Sequence, residues 1–103
     1  MELEQALQTF IAESRELLED MEAALLAVGQ TDDPSEAVNA IFRAAHTIKG
    51  SSGLFGLDDI VAFTHVAESV LDRVRNGELT LDGELVALLL ACRDHIGALV
   101  DAA

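Results

Sequence analysis

His46, Lys49 and Gly50 fall close together in the stretch Ala44-Ala45-His46-Thr47-Ile48-Lys49-Gly50-Ser51-Ser52-Gly53. An imidazole is a nucleophile near neutral pH, and an ammonium group attracts anions. On a helix, Lys49 at i+3 and Gly50 at i+4 both neighbour His46. His46 follows Ala45 of an apolar stripe, so it sits about 100° round from it, at the edge of that face. Glycine inside a helix costs roughly 0.5–1 kcal/mol relative to alanine. Placed one turn beyond His46, it leaves a ring nitrogen open to something bulky. An imidazole, a mobile cation and a bare patch make a phosphate site.

A second pair lies further along. His65 and Glu68 are three residues apart and share a helix face. If the helices carrying the two groups are antiparallel neighbours, Glu68 reaches the ring of His46. A carboxylate that accepts one ring N–H fixes the tautomer and frees the lone pair of the other nitrogen. Two other readings use the same residues. His46, His65 and Glu68 are metal-ligand types, and helical bundles hold metals between helices. Lys49 opposes that reading, and no fourth ligand is evident. The alternative is a non-catalytic helical interaction module with no chemistry at His46. His95 has no evident partner and is assigned to a solvated face.

Four helical segments are expected to position these groups, over about 3–28, 34–52, 58–76 and 81–101. In the first, Leu3, Ala6, Leu7, Phe10, Ile11, Leu17, Leu18, Met21, Leu25 and Val28 recur at helical spacing, and Gly29 is the expected stop. Asp33-Pro34-Ser35-Glu36 starts the second, with Asp33 as cap, Pro34 at the first helical position and Glu36 three residues after the cap. Val38, Ile41, Ala45, Ile48 and Ser52 form its stripe, with an end near Gly53. Asp58-Asp59 opens the third, where acids complement the positive helix end, and Asn76-Gly77 closes it. The fourth starts near Thr80 or Asp82. Its apolar arc is wide (Leu85, Leu88, Leu89, Cys92, Ile96, Leu99, Val100), as suits a helix with two neighbours. Short connections favour antiparallel packing, so the expected fold is all-α, an up-down-up-down four-helix bundle.

The composition narrows the function. Half of the 103 residues are hydrophobic, with four Phe and no Trp or Tyr, so the core is aliphatic. The length fits one domain, 1–103, and the absence of a stop signal after Asp101 suggests a piece of a larger chain. Nineteen acids against six bases give a net charge of -13, which repels nucleic acid and anionic lipid. No apolar run approaches the ~20 residues that cross a bilayer, and the first residues are acidic, unlike a signal peptide. Cys92 is the single cysteine, excludes an internal disulfide and is expected to be a small buried hydrophobe. A cytoplasmic location is expected. No Gly-x-x-x-x-Gly-Lys-Ser/Thr loop is present, so the chain is not expected to bind ATP by itself.

From Phe42 through Gly53, then Phe55-Gly56-Leu57, Thr64-His65-Val66-Ala67-Glu68 and Leu71 to Gly77, the sequence resembles histidine phosphotransfer domains. The likeness is greatest to those of chemotaxis histidine kinases of the CheA type. The resemblance implies that His46 is the phosphoacceptor, that Glu68 orients it and that Lys49 neutralises phosphate charge. It also implies that Gly50 gives steric access and His65 supports the polar network. Stand-alone domains of this kind generally carry Gln where Glu68 stands. Ser51-Ser52 replaces the Gly or Ala of many members. The fragment is then a carrier and not an enzyme, with no bound cofactor and no metal. ATP and Mg2+ come through the partners: the ATP-binding domain of a histidine kinase and a CheY- or CheB-like response regulator. Phe42, Arg43, Leu54 and Phe55 are expected to line the contact face around His46 and Gly50; periodicity alone equally allows Phe42 and Phe55 a core role.

Overall fold

The computed structural model describes residues 2–30 and 32–103. Four α-helices account for most of them: α1 (Glu2–Ala27), α2 (Ser35–Leu54), α3 (Asp58–Arg75) and α4 (Gly83–Asp101), with a short 3-10 turn, Val28–Gln30, after α1. Each helix packs against its sequence neighbour, and α4 closes the ring against α1. The result is the antiparallel up-down-up-down bundle, all-α among the described residues.

The core is built from the aliphatic stripes. Leu18, Met21 and Leu25 of α1, Val38, Ile41, Ala45 and Ile48 of α2, Ile60, Ala67 and Leu71 of α3, and Leu89, Ile96 and Val100 of α4 are all buried. Burying each of the Leu, Ile, Val and Met side chains contributes about 1.5–3 kcal/mol, which offsets the entropy of ordering the helices. Ser52 and Thr64 are buried as well, and each hydroxyl donates to the carbonyl one turn back, Ile48 and Ile60, so neither is left without a partner.

The helix ends follow local chemistry, with some departures from expectation. Asp33 does not cap α2. Its carboxylate accepts from the Ser35 amide at 3.0 Å, two residues on, and this tight turn pushes Pro34 out of the helix to the cap position. Gly53 stays helical. α2 ends at Leu54, one residue beyond, and Gly56 follows with a φ of 67° that lets the Leu57 amide reach the Ser52 carbonyl and the Gly56 amide reach that of Gly53. α3 ends the same way before Gly77 (φ 78°), with Glu78 and Gly77 amides on the Arg73 and Val74 carbonyls. Asp82 caps α4 by accepting from the Leu85 amide at 2.9 Å. Gly29 lies within the 3-10 turn that follows α1.

Three expected core residues are exposed: Leu3 and Ala6 at the N-terminal end of α1, and Leu88 of α4. Cys92 is half-buried rather than buried, and that burial still pushes its thiol pKa up.

Candidate functional site

The α2–α3 seam brings His46 and Glu68 together. His46 Nδ1 lies 2.9 Å from Glu68 Oε2. The two side chains differ sharply in exposure: 64% for His46 and 7% for Glu68. Glu68 belongs to the inner face of α3, near Ala67 and Leu71, and projects across to α2. His46 stands at the rim of the stripe formed by Ala45 and Ile48.

Lys49 completes the pair as a triad. Its Nζ lies 2.7 Å from the other carboxylate oxygen, Oε1, as an ion pair rather than a well-directed hydrogen bond. Burial pushes the Glu68 carboxyl up. The Lys49 ammonium and then the His46 N–H outweigh that, so it sits below the usual carboxylate range and is ionised at neutral pH. An ionised carboxylate can only accept, so Nδ1 carries the proton in neutral His46. Nε2 is then left with its lone pair on a largely exposed ring. Lys49, a mobile cation by its sequence position, has its charge engaged with Glu68.

Gly50 is exposed, and a methyl group built there would meet nothing within 4 Å. The packing of the bundle therefore does not demand glycine at this point. Gly53, one turn further on, is equally unencumbered. The surface beside His46 along α2 is bare, and Leu54 at its end is 87% exposed.

His65 is exposed, and among the described residues its ring makes no hydrogen bond or ion pair with Glu68 or His46. Three residues along a helix turn through about 300°, so a shared face still separates two side chains by about 60°. That is enough to put Glu68 in the seam and His65 outside it. The three metal-ligand types are therefore not brought together, and no group of three or more His, Cys, Asp or Glu among the described residues could hold a metal ion.

The expected contact residues divide. Arg43 is exposed on α2, one turn before His46, and among the described residues it has no carboxylate partner. Phe55 is half-buried and packs on Phe10, ring centroids 5.4 Å apart, so it anchors the α2–α3 connection to α1. Phe42 is half-buried and its ring runs parallel to that of His46, 8° between planes and 6.1 Å between centroids. The Arg75 guanidinium lies 4.6 Å from the Phe42 centroid, a contact between residues far apart in sequence that periodicity could not reveal. His95 also has a partner after all, the Phe63 ring at 4.5 Å.

Comparison with known proteins agrees with this geometry. The Hpt domain family matches residues 5–102. The chain is 40% identical over 103 residues to the chemotaxis protein CheA of Rhizobium meliloti, covering all of this chain and 14% of that protein. It is 41% identical over 102 residues to CheA of Salmonella typhimurium, covering 99% and 15% respectively. It thus spans about one seventh of the length of these relatives. Among solved structures, the CheA phosphotransferase domain from Thermotoga maritima superposes with a TM-score of 0.89 at 31% identity, covering 99% of this chain and 96% of that one. The phosphorylated P1 domain of CheA3 in complex with CheY6 from R. sphaeroides gives 0.87 at 32% identity, covering 95% and 77%. No helix among the described residues is long and apolar enough to cross a membrane. With nearly its whole length matched, and its fold shared with domains of that kind, the chain belongs to the Hpt domain family and is similar to the phosphotransferase domain of CheA.

Proposed function

We propose that His46 is the phosphoacceptor of this domain and that it carries a phosphoryl group from a histidine kinase to a response regulator. The observation that supports this most is an exposed imidazole bonded through Nδ1 to a buried, ionised Glu68, with Nε2 left free beside the bare surface at Gly50. The Nε2 lone pair attacks the γ-phosphorus of ATP, the bond to the β–γ bridging oxygen breaks, and ADP leaves. Nδ1 keeps its proton against Glu68, whose negative charge balances the positive ring of the phosphorylated imidazole. In the onward step a receiver-domain Asp carboxylate attacks the phosphorus. The N–P bond breaks and its electron pair returns to Nε2. Phosphoryl transfer proceeds through a loose transition state, so positioning and charge matter more than an enclosed pocket.

The donor is the ATP-binding domain of a CheA-type kinase, to which this domain belongs as one part, and the acceptor is a CheY- or CheB-like receiver domain. ATP and Mg2+ arrive with those partners, in the cytoplasm. The complex of a CheA3 P1 domain with CheY6 is a precedent for the second partner. Arg43 and Leu54, exposed on either side of His46 along α2, are the contact residues this reading favours, with Phe42 and Phe55 behind them. Lys49 holds Glu68 and screens phosphate charge from there, while His65 is left a peripheral role.

The test mixes the domain with ATP, Mg2+ and a CheA-type kinase core. Acid-labile, base-stable label on His46, absent from His46→Gln, is the expected result. Label that persists in His46→Gln overturns the assignment.

A further inference from the structure

We propose that Arg75 is a positioning residue for His46, acting through the Phe42 ring that both contact. The inference rests on His46 being the phosphoacceptor. The hydrogen bond to Glu68 holds the His46 ring at one atom, Nδ1. A ring held at one atom still rocks about that bond. A second contact, against its face, removes this freedom, and Phe42 supplies it from one turn earlier on α2. Parallel, offset rings at this separation attract through their quadrupoles.

Phe42 is itself only half-buried, so its own orientation needs support. Arg75 provides it from the last turn of α3, with its guanidinium carbon 4.6 Å from the ring centroid, well inside the range of a cation–π contact. Among the described residues Arg75 has one other partner, Asp72, at 3.5 Å on the same helix, with both side chains substantially exposed. Such a pair constrains little. It does not account for the reach of the guanidinium across to α2, whereas the Phe42 face does. The chain Arg75–Phe42–His46 therefore ties the acceptor ring to α3 a second time, independently of Glu68. In-line attack on phosphorus depends on ring orientation, so loosening this tie lowers the rate without altering recognition.

Arg75→Gln removes the charge and keeps a planar side chain. Phosphorylation of His46 by a CheA-type kinase core is expected to slow about two- to fivefold, the equivalent of one partly exposed cation–π contact. The fall should appear in kcat, with KM for the domain unchanged. Phosphoramidate, a small donor with no docking surface, should show the same fall. Arg75→Lys keeps a cation over the ring and should recover most of the rate. In a Phe42→Leu background, Arg75→Gln should have no further effect, and thermal unfolding of each variant verifies the fold. An unchanged rate in Arg75→Gln overturns the inference. So does a fall confined to the kinase reaction with a raised KM, which would make Arg75 a docking residue. An equal fall with and without Phe42 overturns it too. Label on a residue other than His46 in the wild-type chain would instead sink the phosphoacceptor assignment.

Discussion

The α1–α4 seam and the α2–α3 seam use the same kinds of group for opposite ends. Across α1–α4, Arg15 grips Asp101 through Nε at 2.9 Å and Nη2 at 2.8 Å. Arg93 donates to the Leu18 carbonyl at 2.7 Å and pairs with Asp94 and Glu22. A methyl group at Gly97 would meet Leu18 Cδ1 at 3.6 Å, an ordinary contact, so this seam does not require glycine there. Cations and acids serve the contact between the two helices. Across α2–α3 the acid is buried, the cation locks it, and the glycine faces open space. One member of that seam, the imidazole, keeps an edge for a visitor. A stabilising seam satisfies its polar groups against each other; a working seam leaves one of them half-satisfied.

The largest effect should follow from breaking the working seam at its buried member. Glu68→Ala frees the His46 ring to reorient and to change tautomer, and phosphorylation should slow about 10- to 100-fold with the helical circular dichroism retained. Phosphorylation kinetics equal to wild type would remove Glu68 from the mechanism. The same carboxylate predicts an acid dependence of stability. Its folded pKa lies below its ordinary value of 4.5, so the stabilisation it contributes is fully present above about pH 4.5. It is lost as pH falls through the lower, folded value. Denaturant midpoints measured from pH 7 downward should therefore decline below that point, and the decline should be shallower in Glu68→Gln. Parallel curves for the two proteins would show that Glu68 is not coupled to folding.

Stripes such as Val38-Ile41-Ala45-Ile48-Ser52 located α2 and its buried face, because burial on one side of a helix imprints a period on the chain. Glu68 was legible because it shares a helix face with His65, because antiparallel packing of the second and third helices brings it within reach of His46, and because it completes the motif that resembles histidine phosphotransfer domains. The details that escaped depend on small angles or on distant partners. Asp33 takes the Ser35 amide instead of capping, a choice set by one residue's register. His65 misses the seam by about 60° of helix rotation. Lys49 has a long stem that folds back to Glu68, which no spacing rule encodes. Arg75 meets Phe42 only because α2 and α3 run side by side, so the start of one lies near the end of the other.

A smaller effect should separate access from packing. Gly50→Ala adds a methyl group into empty space on a helix, so it should stabilise the domain by about 0.5–1 kcal/mol. The same methyl group lies one turn from the acceptor nitrogen and should slow transfer to a receiver domain more than it slows reaction with phosphoramidate. Opposite signs in stability and rate are the signature of a glycine kept for a visitor. A variant that is both more stable and equally fast would mean that Gly50 is incidental.

The smallest effect belongs to the stabilising seam. Arg15 and Asp101 have side-chain exposures of 60% and 58%, so water screens their attraction despite the short contacts. Arg15→Ala should cost about 0.2–1 kcal/mol, less in high salt, and leave the phosphorylation rate of His46 unchanged. Chemical denaturation in low and high salt measures the first, and the kinase reaction measures the second. The pair is far in sequence from His46 and on the seam that does not contain it, so nothing but stability should register its loss. A fall in phosphorylation rate in this variant would mean that the two seams are coupled through α1 and α2, and that the bundle transmits strain to its acceptor.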